Sequence, residues 1–202
     1  MTIATIVCAT QNEGKVIEMK NLLAGLPISV LSAKEAGVTD DVVEDGETLE
    51  ANALKKSDHV ARKTGQWSVA DDSGLFIKSL GNAPGVLSSR WAGPDVPRKK
   101  LPELILGKLQ ATKAIDRTAY FESAIALTAP TGEHWTFTGR LYGTIAPEQR
   151  GTTRPHLPYD TIFLPKGSSK TFSEMTMAEK NSMSHRGQAF HKLQQFINTQ
   201  IA

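Results

Sequence analysis

Disulfides, a bilayer-spanning stretch and a basic stripe for nucleic acid are all missing from this sequence. One cysteine in 202 residues excludes an internal disulfide framework. That residue, Cys8, lies inside the apolar run at residues 3–9 and reads as core, in a reducing, cytoplasmic setting. Lys and Arg number 23 against 21 Asp and Glu, and arginines are not interleaved with aromatics, so wrapping a nucleic-acid backbone is not the expected task. No run is long or apolar enough to cross a membrane, and the first residues read as a short strand rather than a charged leader. Repeats and low-complexity tracts are also missing. The expectation is one soluble domain over residues 1–202, or two small lobes sharing a core.

What is present alternates strands with helices. Residues 3–9 form an apolar strand, as expected of one covered on both faces. The polar turn Thr10-Gln11-Asn12-Glu13-Gly14-Lys15 follows, then a helix carrying Val16, Met19, Leu22 and Leu23 on one face. A second short strand is expected at residues 27–31, an acidic connection at 40–47 and a helix over 48–63. Residues 67–70 read as a strand that stops at a turn holding Asp71 and Asp72. A short helix is expected near 103–109, after the basic loop at residues 98–102. Two strands at 120–128 and 133–145 flank Pro130-Thr131-Gly132 as a hairpin. The last helix runs from 185 to 201. Together these predict a mixed α/β sheet.

Three constellations carry chemistry. Adjacent carboxylates at Asp71 and Asp72 repel, the more so when partly buried, and two acids so placed call for a cation. A solvated turn in which Asp72 caps its own backbone is the plainer alternative. The Thr10–Lys15 turn offers free backbone N–H groups, a helix N-terminus and the Lys15 cation to phosphate, although it lacks the glycines of a Walker A loop and also fits an ordinary helix cap. In Glu179-Lys180-Asn181-Ser182-Met183-Ser184-His185-Arg186, Ser184 reads as the N-cap of the last helix. His185 and Arg186 then fall in the first turn, where the helix dipole disfavours cations, and a bound anion would reverse that penalty. Glu50, at the head of the second helix, would complete a three-carboxylate, magnesium-type set if it lies beside Asp71 and Asp72.

In this order the motifs resemble the inosine triphosphate pyrophosphatase family of non-canonical purine NTP pyrophosphatases. The carriers are Ala9 through Lys15, Thr48-Leu49-Glu50-Ala51-Asn52-Ala53 and Ala70-Asp71-Asp72-Ser73-Gly74-Leu75. Ala83-Pro84-Gly85-Val86, Ser89-Arg90-Trp91-Ala92-Gly93, Tyr159-Asp160 with Ile162-Phe163, and Glu179-Lys180-Asn181 with Ser184-His185-Arg186 complete them. The resemblance implies a two-lobed α/β fold on a long mixed β-sheet flanked by helices, with the active-site cleft between the lobes. It also implies Mg²⁺, a homodimer, and hydrolysis of ITP, dITP and XTP to monophosphate and pyrophosphate. By position Asp72 matches the family's proton acceptor and metal ligand, with Glu50 and Asp71 as further metal carboxylates. Thr10, Gln11, Asn12, Glu13, Gly14, Lys15, Ser73, Leu157, Pro158, Tyr159, Asp160, Lys180, His185 and Arg186 match its substrate contacts.

Two departures stand out. Ala51 occupies a position where relatives carry glutamate. His156-Leu157-Pro158 replaces the family's Gly-Phe-Gly, so Leu157 stands where an aromatic would stack on the purine, unless His156 or Tyr159 supplies the ring. In the implied mechanism a water deprotonated by Asp72 attacks the α-phosphorus, Lys15 and Lys180 neutralise phosphate charge, and His185 and Arg186 read the 6-oxo group. A Maf-type pyrophosphatase and a non-catalytic nucleotide-binding module are the alternatives.

Overall fold

A computed structural model describes residues 3–154 and 157–201 of the chain, so His156 lies outside the described residues. Among these are six β-strands and five α-helices: β1 (Thr5–Cys8), α1 (Glu13–Leu23), β2 (Ser29–Ser32), α2 (Leu49–Thr64), β3 (Trp67–Ile77), α3 (Leu101–Ala111), β4 (Thr118–Thr128), β5 (His134–Ile145), β6 (Phe163–Pro165), α4 (Met177–Met183) and α5 (His185–Ile201). The strands form one sheet in the order β2-β1-β3-β4-β5-β6. The sheet is mixed, because β1 runs parallel to β2 and β3 whereas β5 and β6 are antiparallel. The expected hairpin closes at residues 129–133, where Gly132 N–H donates to Ala129 and Ala129 N–H to Glu133. The chain divides into two compact units. The first comprises Met1–Asp72, Ser123–Gly139 and Arg186–Ala202, and the second Ser73–Glu122 and Arg140–His185.

In the first unit β1, an apolar β-branched run, is buried nearly throughout, and so is the parallel segment 67–72 of β3, although it also carries Ser68, Asp71 and Asp72. Ile6, Met19, Val69, Ile125, Phe190 and Leu193 meet in its core. Helix α2 shows why periodicity predicted it. Thr48 accepts the Ala51 N–H as N-cap, Gly65 closes the far end at φ 63°, and Leu49, Asn52, Ala53, Lys56, Ser57, Val60 and Ala61 form the buried stripe. Ser57 on that stripe bonds Thr128 of β4 at 2.7 Å. Cys8 is fully buried, which pushes its thiol up to about 12, so it is inert packing as expected. In the second unit Leu75, Ile77, Ile105, Phe121, Phe163 and Phe172 form the core.

Strand β3 runs seven residues beyond the expected end at Ala70. Asp71 and Asp72 do not end β3; the strand continues through them to Ile77. Gly74, two residues past the acids, belongs to the strand and not to a turn. A Cβ on Gly74 would lie 2.4 Å from the Gly85 carbonyl oxygen, so Gly74 is required because a neighbouring backbone passes against the strand. Helix α4 was also missed, being only seven residues long, and Ser184 is the single extended residue between α4 and α5.

Gly74→Ala should therefore cost about 1–3 kcal/mol of stability, the usual cost of overpacking against atoms that cannot give way. Urea denaturation checks this, and a loss below about 0.5 kcal/mol would contradict the close approach.

Candidate active site

Consecutive strand residues point to opposite faces, so the adjacent acids go to different partners. Asp71 is fully buried. One carboxylate oxygen meets the Lys15 ammonium at 3.0 Å and the other accepts from Arg186 Nε at 3.0 Å. Arg186 Nη1 also donates to Glu18 at 2.6 Å, so the guanidinium at the start of α5 is held by two buried carboxylates. Burial alone would raise the Asp71 pKa. Arg186, Lys15 and Lys56 overcome it and hold the carboxyl far below the usual range. The Lys15 ammonium is in turn pushed down, first by burial, against the pull of Asp71.

Asp72 faces α2. Asn52 Nδ2 donates to Oδ2 at 3.1 Å, and the Lys56 ammonium lies 3.6 Å from Oδ1. Lys56 Nζ also bonds Glu44 at 2.6 Å and the Asp71 carbonyl at 2.8 Å. Burial raises the Asp72 pKa, Lys56 and Lys15 pull against it, and Glu44 adds to the rise. Burial works against the Lys56 charge, yet Asp72, Glu44 and Asp71 together hold its pKa above the ordinary value. The two neighbouring acids are thus driven apart: Asp71 is a permanent anion, and Asp72 is the one disposed to take up a proton.

The three-carboxylate metal set of Asp72, Glu50 and Asp71 is not assembled. Among the described residues no three acid, histidine or cysteine side chains come together for a metal. Glu50 is exposed and accepts from Thr136, because the helical stripe turned toward Asp72 carries Asn52 and Lys56, four residues apart. Asp71 is taken by Lys15 and Arg186 on the other face. The carboxylates that do converge on one cation are Glu44 and Asp72, with Lys56 Nζ between them. All-oxygen donors of this kind fit a hard divalent ion. Glu44, Asn52 and Lys56 were missed. A lysine and an asparagine on an otherwise apolar helical stripe were the signal available.

The polar turn is an ordinary cap as well as a candidate phosphate site. Asn12 caps α1 by accepting from Lys15 N–H at 3.2 Å, and Thr10 accepts from Asn12 N–H at 3.2 Å. Gln11 donates to the Val38 carbonyl, while Glu13 and Gly14 open the first turn of α1.

In the second unit Ser73 continues β3. Lys180, nearly fully buried, meets Asp160 at 2.8 Å, and Arg154 lies 3.5 Å from the same carboxylate. The cations expected to await an anion, Lys180 and Arg186, are therefore already neutralised by buried carboxylates, which is how Arg186 is tolerated in the first turn of α5. Tyr159 is a core residue whose hydroxyl donates to the Ser88 carbonyl at 2.7 Å, so its ring is not presented to a base. Leu157 and Pro158, half-buried, lead into the short turn at Pro158–Thr161. His185 is buried and stacks on Phe121, centroids 4.6 Å apart and planes 9° from parallel.

By fold and site this is an α/β protein in which one strand, β3, delivers two adjacent carboxylates into a cluster of buried cations. The Ham1 family model matches residues 6–196. The dITP/XTP pyrophosphatase of Bacillus subtilis is 40% identical over 191 residues, 95% of this chain and 96% of that protein. That of Caulobacter vibrioides is 41% identical over 190 residues, 94% and 96% of the two chains. The solved structure of a HAM1 protein from Coxiella burnetii superposes with a TM-score of 0.88 at 38% identity, over 98% of this chain and all of that one. The chain belongs to the Ham1 family.

Arg186→Met should destabilise the protein by about 3–5 kcal/mol, because it leaves Asp71 and Glu18 as buried charges without their shared partner. Denaturant melts measure it; a loss below about 1 kcal/mol would remove Arg186 from this structural role.

Proposed function

We propose that this chain hydrolyses non-canonical purine nucleoside triphosphates, dITP and XTP foremost and ITP with them, to the monophosphate and pyrophosphate. The reading rests on membership of a family whose relatives bear the name dITP/XTP pyrophosphatase. The observation that carries it is the separation of the two acids, which leaves Asp72 as a carboxylate whose raised pKa suits a general base. Family membership favours this over a Maf-type enzyme. The retained acid–cation cluster favours it over a non-catalytic module.

Asp72 takes the proton of a water that attacks the α-phosphorus. As the new P–O bond forms, the bond to the α–β bridging oxygen breaks and pyrophosphate leaves. Asn52 holds Oδ2 of Asp72, which fixes the carboxylate's orientation. Lys15 and Lys56 converge on the Asp71 carbonyl and put positive charge beside it, where phosphate charge would be neutralised. Glu44 and Asp72 are the proposed holders of Mg²⁺, which when bound withdraws charge from the phosphates. Thr10 to Lys15, Ser73, Leu157, Pro158, Asp160, Lys180 and His185 remain the proposed substrate contacts, with His185 as the reader of the 6-oxo group. Leu157 would give the purine apolar contact in place of the roughly 1–3 kcal/mol of an aromatic stack. We further propose a cytoplasmic homodimer.

The test is a pyrophosphate-release assay over dITP, XTP, ITP, GTP and ATP. Preferred turnover of the first three is expected, together with a loss of at least about a thousandfold in Asp72→Asn with the fold intact. Preferred turnover of ATP, or retention of more than about a tenth of activity in Asp72→Asn, would overturn the reading.

A further inference from the structure

The Lys56 ammonium lies in a cage of three oxygens: Glu44 Oε1 at 2.6 Å, the Asp71 carbonyl at 2.8 Å and Asp72 Oδ1 at 3.6 Å. Two of these contacts are hydrogen bonds, and the third, to Asp72, is an ion pair at a longer distance. All three oxygens are hard donors, of the kind a divalent cation of the magnesium type prefers. The cage is built and not incidental. Lys56 sits on the buried stripe of α2, one turn beyond Asn52, and the two side chains reach the two oxygens of the same carboxylate. The lysine is itself buried, with its side chain 9% exposed.

We propose that Lys56 is the resident counter-cation of Glu44 and Asp72, and that it leaves this cage when a divalent ion binds. The inference rests on the reading of Glu44 and Asp72 as the metal carboxylates. A divalent ion held by Glu44 and Asp72 would lie within a few ångströms of the Lys56 ammonium, which already has the Lys15 ammonium on the same Asp71 carbonyl, and a further double charge there makes the repulsion large. One carboxylate pair therefore serves one cation at a time. The four-carbon stem of lysine lets its charged head move while its backbone stays in the helix. The exchange does two things. Before metal arrives, the ammonium offsets two acids that would otherwise repel across a buried space. After metal arrives, the displaced charge is available to phosphate oxygens. Arginine, longer and planar, would hold the carboxylates in a different geometry, so a lysine suits the exchange.

The test uses the full chain without nucleotide and with a metal chloride alone, so it does not depend on turnover. Lysine acetylation is followed residue by residue by mass spectrometry, with and without MgCl₂ at matched ionic strength. Lys56 should be protected without magnesium and react about tenfold faster with it, while Lys20, paired to Glu35 outside the cluster, stays as it was. In calorimetry Lys56→Met should bind Mn²⁺ at least about tenfold more tightly than the wild type, since the competing charge is gone. Continued protection of Lys56 at saturating Mg²⁺ overturns the proposal, and so does unchanged or weaker Mn²⁺ binding by Lys56→Met. If that variant does not fold, the wild-type acetylation pattern alone decides. Failure here with intact dITP cleavage removes only the exchange. Success here without dITP cleavage removes only the assigned reaction.

Discussion

Everything in the first unit is tied to the charge on Asp71. A fully buried carboxylate is tolerable only with close cations, and this one collects them from three helices. Lys15 comes from α1 and Arg186 from α5, while Lys56 of α2 binds the Asp71 carbonyl. Glu18 of α1 then shares Arg186. The cost of burying one charge is thereby converted into a fixed placement of three helices against the strand that carries it. Such a pair is weak evidence for stability but good evidence for specified geometry, and geometry is what the next residue along β3 requires.

That next residue is Asp72. Strand alternation separates it from its neighbour at no cost in sequence length, and the two acids acquire opposite properties. Asp71, surrounded by Arg186, Lys15 and Lys56, stays ionised. Asp72, with burial acting on it and fewer close cations, is shifted toward its protonated form. A proton-accepting carboxylate and a structural anion are thus made from the same side chain by environment alone. Lys56 and Asn52 fix where the Asp72 carboxylate points, and both come from one helical stripe that also anchors α2 to β4 through Ser57.

Much of this was legible in the sequence. Apolar periodicity located β1, α1, α2, the β4–β5 hairpin and α5, because those segments bury one face or both. The motif order identified the family and marked Asp72, Lys15 and Arg186 as residues of interest. What could not be read was direction. In Asp71-Asp72 the sequence shows two acids together, and only the continuation of β3 shows them parting. The same blindness placed Glu50 rather than Glu44 beside Asp72, since a helix residue and an acidic loop residue look equally close along the chain. The need for glycine at position 74 was not legible either, because the tight approach of the Gly85 carbonyl leaves no trace in a single sequence. Lys180 and Arg186 seemed to want a ligand because their carboxylate partners, Asp160 and the Asp71–Glu18 pair, are 20 or more residues away.

The central claim is that water activated at Asp72 attacks the α-phosphorus. Hydrolysis of dITP in ¹⁸O-labelled water, with both products analysed by mass spectrometry, tests it most directly. The account predicts one labelled oxygen in the monophosphate and none in the pyrophosphate. Label in the pyrophosphate, or release of orthophosphate carrying it, would mean attack at the β- or γ-phosphorus and would contradict the account.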